Sequence, residues 1–511
     1  MRILSSEEAR RVDAHTMKNL GIPGETLMAR AGLAVAEKAK KMLLAMGGNR
    51  VAIVCGKGNN GGDGFSAAVR LKQFGVETAL YSTVAPGVIS GEAGVFHRRC
   101  LDLGFDVVYE ADPGNLDLSN HDLIVDGLLG TGIKGEVKGK ALPWIRRVNE
   151  SERPVLSVDI PSGVSADSGQ VLGTAVRAGA TVTMGYLKQG LVMQPGADLA
   201  GELEVADIGY PDEAFDILDY EKATFDETVA ALHLKKPPAD TYKHRQGKVL
   251  VISGSKGYTG ALCMVAEGAL RSGAGLVIAA VPESLNAIVE TKLTEVITAP
   301  LSDGGKGFLS PESLEPLKRH LDWCHTVAIG PGLGTGPEQM DFVTGFFEIF
   351  SKPLVIDADA LRVFHDNPGL FKTLRSNAVL TPHHGEASRL FGVEKGTIRE
   401  DPFRFVHEAV RRTRSVFVLK GAPTLIGDGE KVVANTTGHQ GLATGGSGDV
   451  LTGMIAGFLA QGMPPFVAAQ VAVFIHGKTA DSLRESYGYR GLVAGDLLRR
   501  LPSVISSYEH A

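Results

Sequence analysis

The residues best placed to do chemistry stand in GGSGDVLTG (residues 445–453), where one carboxylate, Asp449, sits inside a glycine-rich helix start. A helix N-terminus presents unpaired N–H groups and the positive end of its dipole, so it holds phosphate. Gly445, Gly446 and Gly448 let an anion approach the backbone without meeting a Cβ. An acid at that place repels phosphate unless it takes part in a reaction, most simply by accepting a proton from an attacking hydroxyl. The alternative is a plain capped helix with an acid in its first turn.

Four more loops of the second half follow expected strands and crowd the same sheet edge: GSKGYTGAL (254–262), GPGLGTG (330–336), TPHHGE (381–386) and KGAPTLI (420–426). The adjacent His383 and His384 suggest zinc, but no further Cys or His stands at zinc spacing. In the first half, GKGNNGGDG (56–64) matches G-x-G-x-x-G after a strand. The next strand ends in Tyr81-Ser82-Thr83, without the acid that grips a ribose, and no Gly-Lys-Ser/Thr triplet makes a Walker loop. The turn does offer Asn59, Asn60 and Asp63, which suit a phosphate or a hard cation. VDGLLGTGIKGE (125–136) and SVDIPSG (157–163) place Asp126 and Asp159 at strand ends on the same edge. Singly, such acids also serve as caps or turn formers.

These loops need elements to hold them. A helical face (Met28, Ala31, Val35, Ala39) precedes a buried strand at 51–55 and a helix from 65 to 75; strands follow at 78–81, 107–109, 123–126 and 155–159. Alternation of this kind predicts a parallel sheet covered on both faces. Residues 210–243 lose the pattern and read as a junction. Alternation then resumes, with strands at 248–255, 275–281, 326–329, 354–356, 378–380, 416–419 and 423–426, and a helix over 261–272. The halves show no internal repeat. A chain of 511 residues suits two to four domains, and the reading here is two different α/β domains. Sixty-four glycines are more than average, and many sit at strand-to-helix junctions, as expected of loops that meet ligands. A net charge of −6 argues against a nucleic-acid surface, and no apolar run is long enough for a membrane span. The charged N-terminus lacks a signal-peptide pattern, and four scattered cysteines read as reduced thiols, so a cytoplasmic protein is expected.

NNGGDG, VDGLLGTGIKGE and SVDIPSG together resemble the signature loops of the NAD(P)H-hydrate epimerase family, over residues 1–215. The resemblance implies a Rossmann-like three-layer α/β/α domain that interconverts the R and S forms of hydrated NADH and NADPH. It implies that Asn59, Asn60, Gly61, Gly62 and Asp63, with Gly130, Thr131, Gly132, Ile133, Lys134, Gly135 and Glu136, hold the dinucleotide. By the same token Asn60, Asp126 and Ser162 ligate K+, for which amide, carboxylate and hydroxyl oxygens are suitable, and Asp159 is the acid/base group. Gly127 stands where alanine is common in this family.

The loops of the second half resemble the ADP/ATP-dependent NAD(P)H-hydrate dehydratases of the ribokinase-like superfamily, over residues 225–511. That implies nucleotide contacts from Lys420, Gly421, Ala422, Pro423, Thr424 and Gly448, and contacts to the hydrated dinucleotide from Ala261, Gly334, His383 and Asp449. His384 replaces the proline of the family's TPHPGE pattern. The implied partners are small molecules, NADHX and NADPHX with ADP and Mg2+, ATP being the other possible donor; a homo-oligomer is also expected. A rival reading is a small-molecule kinase, for a vitamin precursor or sugar, fused to a non-catalytic dinucleotide sensor.

Overall fold

The computed structural model describes residues 1–509 and divides into two compact units, Met1–Asp219 and Tyr220–Ala511. The first unit is built on seven parallel strands: β1 (Arg50–Cys55), β2 (Glu77–Ser82), β3 (Val107–Tyr109), β4 (Leu123–Gly127), β5 (Val155–Val158), β6 (Ala180–Met184) and β7 (Glu202–Ala206). Their spatial order is β3-β2-β1-β4-β5-β6-β7. The order therefore reverses between β1 and β4, and ligands of open α/β sheets bind at such a crevice.

Strand alternation explains the three layers. Val51, Ile53 and Cys55 of β1 pack with Leu27, Met28 and Val35 of helix α2 (Gly24–Met46) and with Phe65 of α3 (Asn59–Gln73). Ala52 and Val54 point the other way, toward Trp144, Ile145 and Val148 of α4 (Ala141–Glu150). Helix α1 (Ser6–Lys18) starts with a reciprocal cap, in which Ser5 N–H donates to Glu8 (2.8 Å) and Glu8 N–H donates to Ser5 Oγ (3.2 Å). A short parallel pairing of Ile3–Leu4 with Leu187–Lys188 ties the chain start to the segment after β6.

The second unit holds ten strands: β8 (Glu221–Thr224), β9 (Lys248–Ile252), β10 (Leu276–Pro282), β11 (Ile297–Leu301), β12 (Thr326–Ile329), β13 (Leu354–Ile356), β14 (Ala378–Leu380), β15 (Val416–Leu419), β16 (Thr424–Gly427) and β17 (Lys431–Asn435). The order is β8-β17-β16-β15-β14-β13-β12-β9-β10-β11. Pairing is parallel except at β15–β16 and β16–β17, so the strand expected at 423–426 is the middle of an antiparallel edge. Helices α5 (Thr259–Arg271) and α7 (Ser447–Ala460) bury Val265, Ala266, Ile455 and Phe458 against Val249 and Val251 of β9.

Residues 210–243, read as a patternless junction, contain the unit boundary together with β8 and a short helix, Thr228–His233. The four-residue β8 at the sheet edge is too short to show a period. Among the described residues no helix is long and apolar enough to cross a membrane.

Candidate functional site

Beyond the carboxyl ends of β1, β4 and β5, the first unit opens into a cavity of about 810 Å3. Gly56 lines it from the β1–α3 turn, Asn59, Asn60 and Asp63 from the first two turns of α3, Gly130, Thr131, Gly132, Ile133 and Glu136 from the loop after β4, and Asp159 from the end of β5. Gly61 and Gly62 are buried in the first turn of α3, and Lys134 and Gly135 lie exposed off the wall. Only glycine fits at 61, because a Cβ there would run into the carbonyl of Gly56.

Asp159 adopts φ 65°, a left-handed conformation that is strained for a residue with a Cβ. Its Oδ1 accepts from Thr183 Oγ1 (3.2 Å) and Met184 N–H (3.1 Å), and pairs with the ammonium of buried Lys188. The Lys188 Nζ also donates to Thr183 Oγ1 (3.0 Å) and lies 4.6 Å from the centre of the Tyr186 ring. The Tyr186 hydroxyl reaches Asp13 Oδ1 at 3.5 Å, and the Tyr210 hydroxyl bonds the same oxygen. Burial raises the Asp13 carboxyl above its ordinary range, against the lowering effect of Tyr210.

Beneath this wall, Asp126 and Ser162 are fully buried and joined at 2.6 Å; Asp126 also accepts from Ser157 Oγ and Ser162 N–H, both at 2.9 Å. Burial raises the Asp126 carboxyl while the Ser162 bonds oppose it. Both amide atoms of Asn60 are buried without a protein partner.

In the second unit, Gly446 starts α7 with φ +90°, which only glycine adopts freely. Asp449 follows in the first turn. Burial pushes its carboxyl up to about 6, with Asp357 adding to the effect and Lys420 opposing it. Lys420, just past β15, bonds Asp357 Oδ1 at 2.7 Å, and Thr452 Oγ1 donates to Asp357 Oδ2 at 2.7 Å. Burial disfavours the Lys420 charge, but Asp357 and Glu386 outweigh it and raise the ammonium's pKa. The Lys420 Nζ stands 3.5 Å from where a Cβ on Gly448 would be. Lysine, helix start and carboxylate thus converge on one point.

The remaining expected residues surround this point less directly. Gly334 N–H donates to Asp359 Oδ2 (2.9 Å), and Ala261 lies beside the Gly332 turn. Gly421 and Ala422 are exposed, and Thr424 Oγ1 closes the turn by donating to Gly421 C=O (3.1 Å). Pro423 is buried at the start of the hairpin. His383 is committed to a cap: its Nδ1 accepts from Gly385 N–H (2.9 Å) and Glu386 N–H (3.2 Å) at the start of α6 (His384–Phe391). The imidazole of His384 contacts the Lys420 carbonyl through Nδ1 at 3.2 Å, so the residue standing for proline helps to hold the lysine's backbone.

The NAD(P)H-hydrate dehydratase family model matches residues 249–503, and that of the YjeF-related protein N-terminus matches residues 24–190. The bifunctional NAD(P)H-hydrate repair enzyme of Moorella thermoacetica is 38% identical over 520 residues, covering 100% of this chain and 97% of that protein. Its counterpart from Thermofilum pendens is 35% identical over 512 residues, covering 99% and 96%. This chain belongs to the family of bifunctional NAD(P)H-hydrate repair enzymes. A ribokinase-like superfamily protein from Enterococcus faecalis V583 superposes with a TM-score of 0.50 at 25% identity, over 56% of this chain and 96% of its own, in keeping with a ribokinase-like second unit.

Within this repair-enzyme frame the structure adds residues that sequence reasoning passed over. Asp357 and Asp359 had a usable signal, since IDADAL puts acids just past a strand as Asp126 and Asp159 do. Lys188, Tyr186, Tyr210 and Asp13 had none. Tyr186 and Lys188 follow a single glycine with no acid beside it, Tyr210 likewise follows one glycine, and Asp13 lies in the middle of α1.

Proposed function

We propose that this chain repairs hydrated NADH and NADPH in two steps, the first unit interconverting the R and S hydrates and the second removing water from the S form. ADP is the proposed phosphoryl donor, with AMP and phosphate released, and ATP the alternative. The observation that carries the reading is the convergence of Asp449, Lys420 and the Gly448 turn at the start of α7. Full-length membership in the repair-enzyme family supports it.

Hydroxide is a poor leaving group from the hydrated ring, whereas phosphate is a good one. Asp449 takes the proton of the ring hydroxyl as its oxygen attacks the terminal phosphorus, and the bond to the AMP oxygen breaks. The ring nitrogen then pushes out phosphate, and the adjacent ring carbon gives up a proton to the released phosphate, which restores the double bond. The Lys420 ammonium and the first N–H groups of α7 stand where charge grows on the transferred group. Mg2+, when bound, supplies further neutralisation there. Among the described residues no three His, Cys, Asp or Glu converge to hold a metal, so phosphates and at most a carboxylate or two would carry it.

In the first unit Asp159, oriented by Lys188 and Thr183, is the acid/base group. K+ fits beside it on one observation, the unpartnered buried amide of Asn60, which costs about 1–3 kcal/mol if left unsatisfied. Asp126 and Ser162 would complete that site, and the ion would supply a fixed positive charge for the dinucleotide. Four free, buried cysteines support a reducing, cytoplasmic setting.

The test is incubation of the purified chain with both NADHX epimers, with and without ADP and Mg2+. Near-complete return of the reduced-nicotinamide absorbance with ADP is expected, and no return with any nucleotide refutes the reading. Asp159→Ala should stop recovery at the S fraction; recovery of both epimers at the wild-type rate would make the first unit a sensor.

A further inference from the structure

The cavity of the first unit holds a carboxyl that none of its cations or donors reaches. Asp13, Asp63 and Asp159 all line it. Lys188 forms an ion pair with Asp159, whose carboxylate takes two further hydrogen bonds. Asp13 receives the hydroxyls of Tyr186 and Tyr210. Asp63, in the second turn of α3, has neither hydrogen bond nor ion pair among the described residues. The Asp63 carboxyl is half-buried and faces the cavity beside Asp159 without a cation of its own; ionised it would meet that like charge, whereas a carboxylic acid avoids the repulsion and has a proton to give. Burial and the nearby Asp159 accordingly hold Asp63 well above the usual carboxylate range, with Lys188 opposing and Asp13 reinforcing. The cavity's other charged side chains are Arg10, Lys57, Glu92, Glu136, Lys138 and Lys140, and none of them pairs with Asp63.

Epimerisation at a carbon bearing hydroxyl and ring nitrogen needs an acid for the departing oxygen and a base for the arriving one. We propose that Asp63 is that acid and works with Asp159 as the base, a role resting on the epimerase reading above. The carbon–oxygen bond breaks as the ring nitrogen's electron pair forms a carbon–nitrogen double bond, and the oxygen leaves as water with the Asp63 proton. A water then adds to the other face, its oxygen bonding the carbon and its proton passing to Asp159. Exchange with cavity water, or turnover in the reverse direction, returns both carboxyls to their starting states.

The test uses the full chain, pure (R)-NADHX, and Asp63→Asn beside Asp63→Glu. D63N should lower kcat for R-to-S conversion about 10²–10⁴-fold with KM within about threefold. It should also abolish the alkaline limb of the kcat profile, while D63E keeps that limb. Circular dichroism and urea unfolding beside the wild type report that the first unit is folded, and ADP-dependent dehydration of the pure S hydrate reports the second. A D63N enzyme with raised KM, near-normal kcat and an intact alkaline limb overturns the proposal and leaves Asp63 as a binding group. Should D63N fail to fold, the wild-type infrared spectrum at neutral pH decides: no protonated-carboxyl band in the apo protein overturns it. A wild-type chain that never interconverts the epimers sinks the epimerase reading itself, a result distinct from D63N matching wild type.

Discussion

Asp449→Asn should inactivate one reaction and stabilise the fold. The carboxyl sits at about 6 in the folded chain against an ordinary value of 3.8, because burial and Asp357 disfavour its charge. Between those values the folded state binds the extra proton. The residue's effect is therefore neutral below about pH 4, and it becomes destabilising as pH rises through about 6. A displacement of about two pH units corresponds to roughly 3 kcal/mol at full strength. Partial contact with solvent screens part of this, leaving about 1–2 kcal/mol. Asparagine does not titrate, so the variant should gain that much stability above about pH 7 and none below about pH 4. Denaturant unfolding of both proteins across this range measures the difference. Dehydration should fall about 10²–10⁴-fold while epimerisation continues. A variant no more stable at high pH, or one losing both reactions equally, refutes the account of Asp449.

The pH profile of dehydration should lose about tenfold in kcat/KM per pH unit below about 6, as Asp449 takes up its proton; a flat profile there excludes it as the base. Lys188→Met leaves Asp159 without its buried cation and should destabilise the chain by about 3 kcal/mol or more, read by urea unfolding, with epimerisation lost; wild-type stability would contradict the pairing. Gly446→Ala forces φ +90° on a residue with a Cβ and drives that atom into Met264 Sδ. It should cost more than about 1 kcal/mol and slow dehydration ahead of epimerisation in paired assays.

Local signals were the legible ones. The Asn60, Asp126 and Asp159 loops could be read because glycines and an acid lie close behind an apolar strand, and each sheet gathers its strand ends on one edge; Asp449 could be read because it lies among glycines at a helix start. Lys188 could not be read. As one lysine in MGYLKQG it looks like a surface residue, yet it is buried where Leu187–Lys188 pairs with Ile3–Leu4, far away in the chain, and where Asp159, Thr183 and Tyr186 close around its ammonium. His383 illustrates an ambiguity of the same kind: histidine at a loop-to-helix boundary serves ligand and cap alike, and the sequence does not separate the two. The antiparallel turn of β16 and β17 was hidden because buried strands on either hand carry the same apolar run.

Strand β8 also bears on where this chain can be divided. Glu221–Thr224 pairs residue for residue with Lys431–Ala434, and Phe225 N–H reaches the Ala434 carbonyl at 2.9 Å. A fragment begun at residue 225 or 249 would strip that cover and present β17 as a bare row of amides and carbonyls, a template for other chains to join. Stand-alone versions of the dehydratase half should begin before Tyr220.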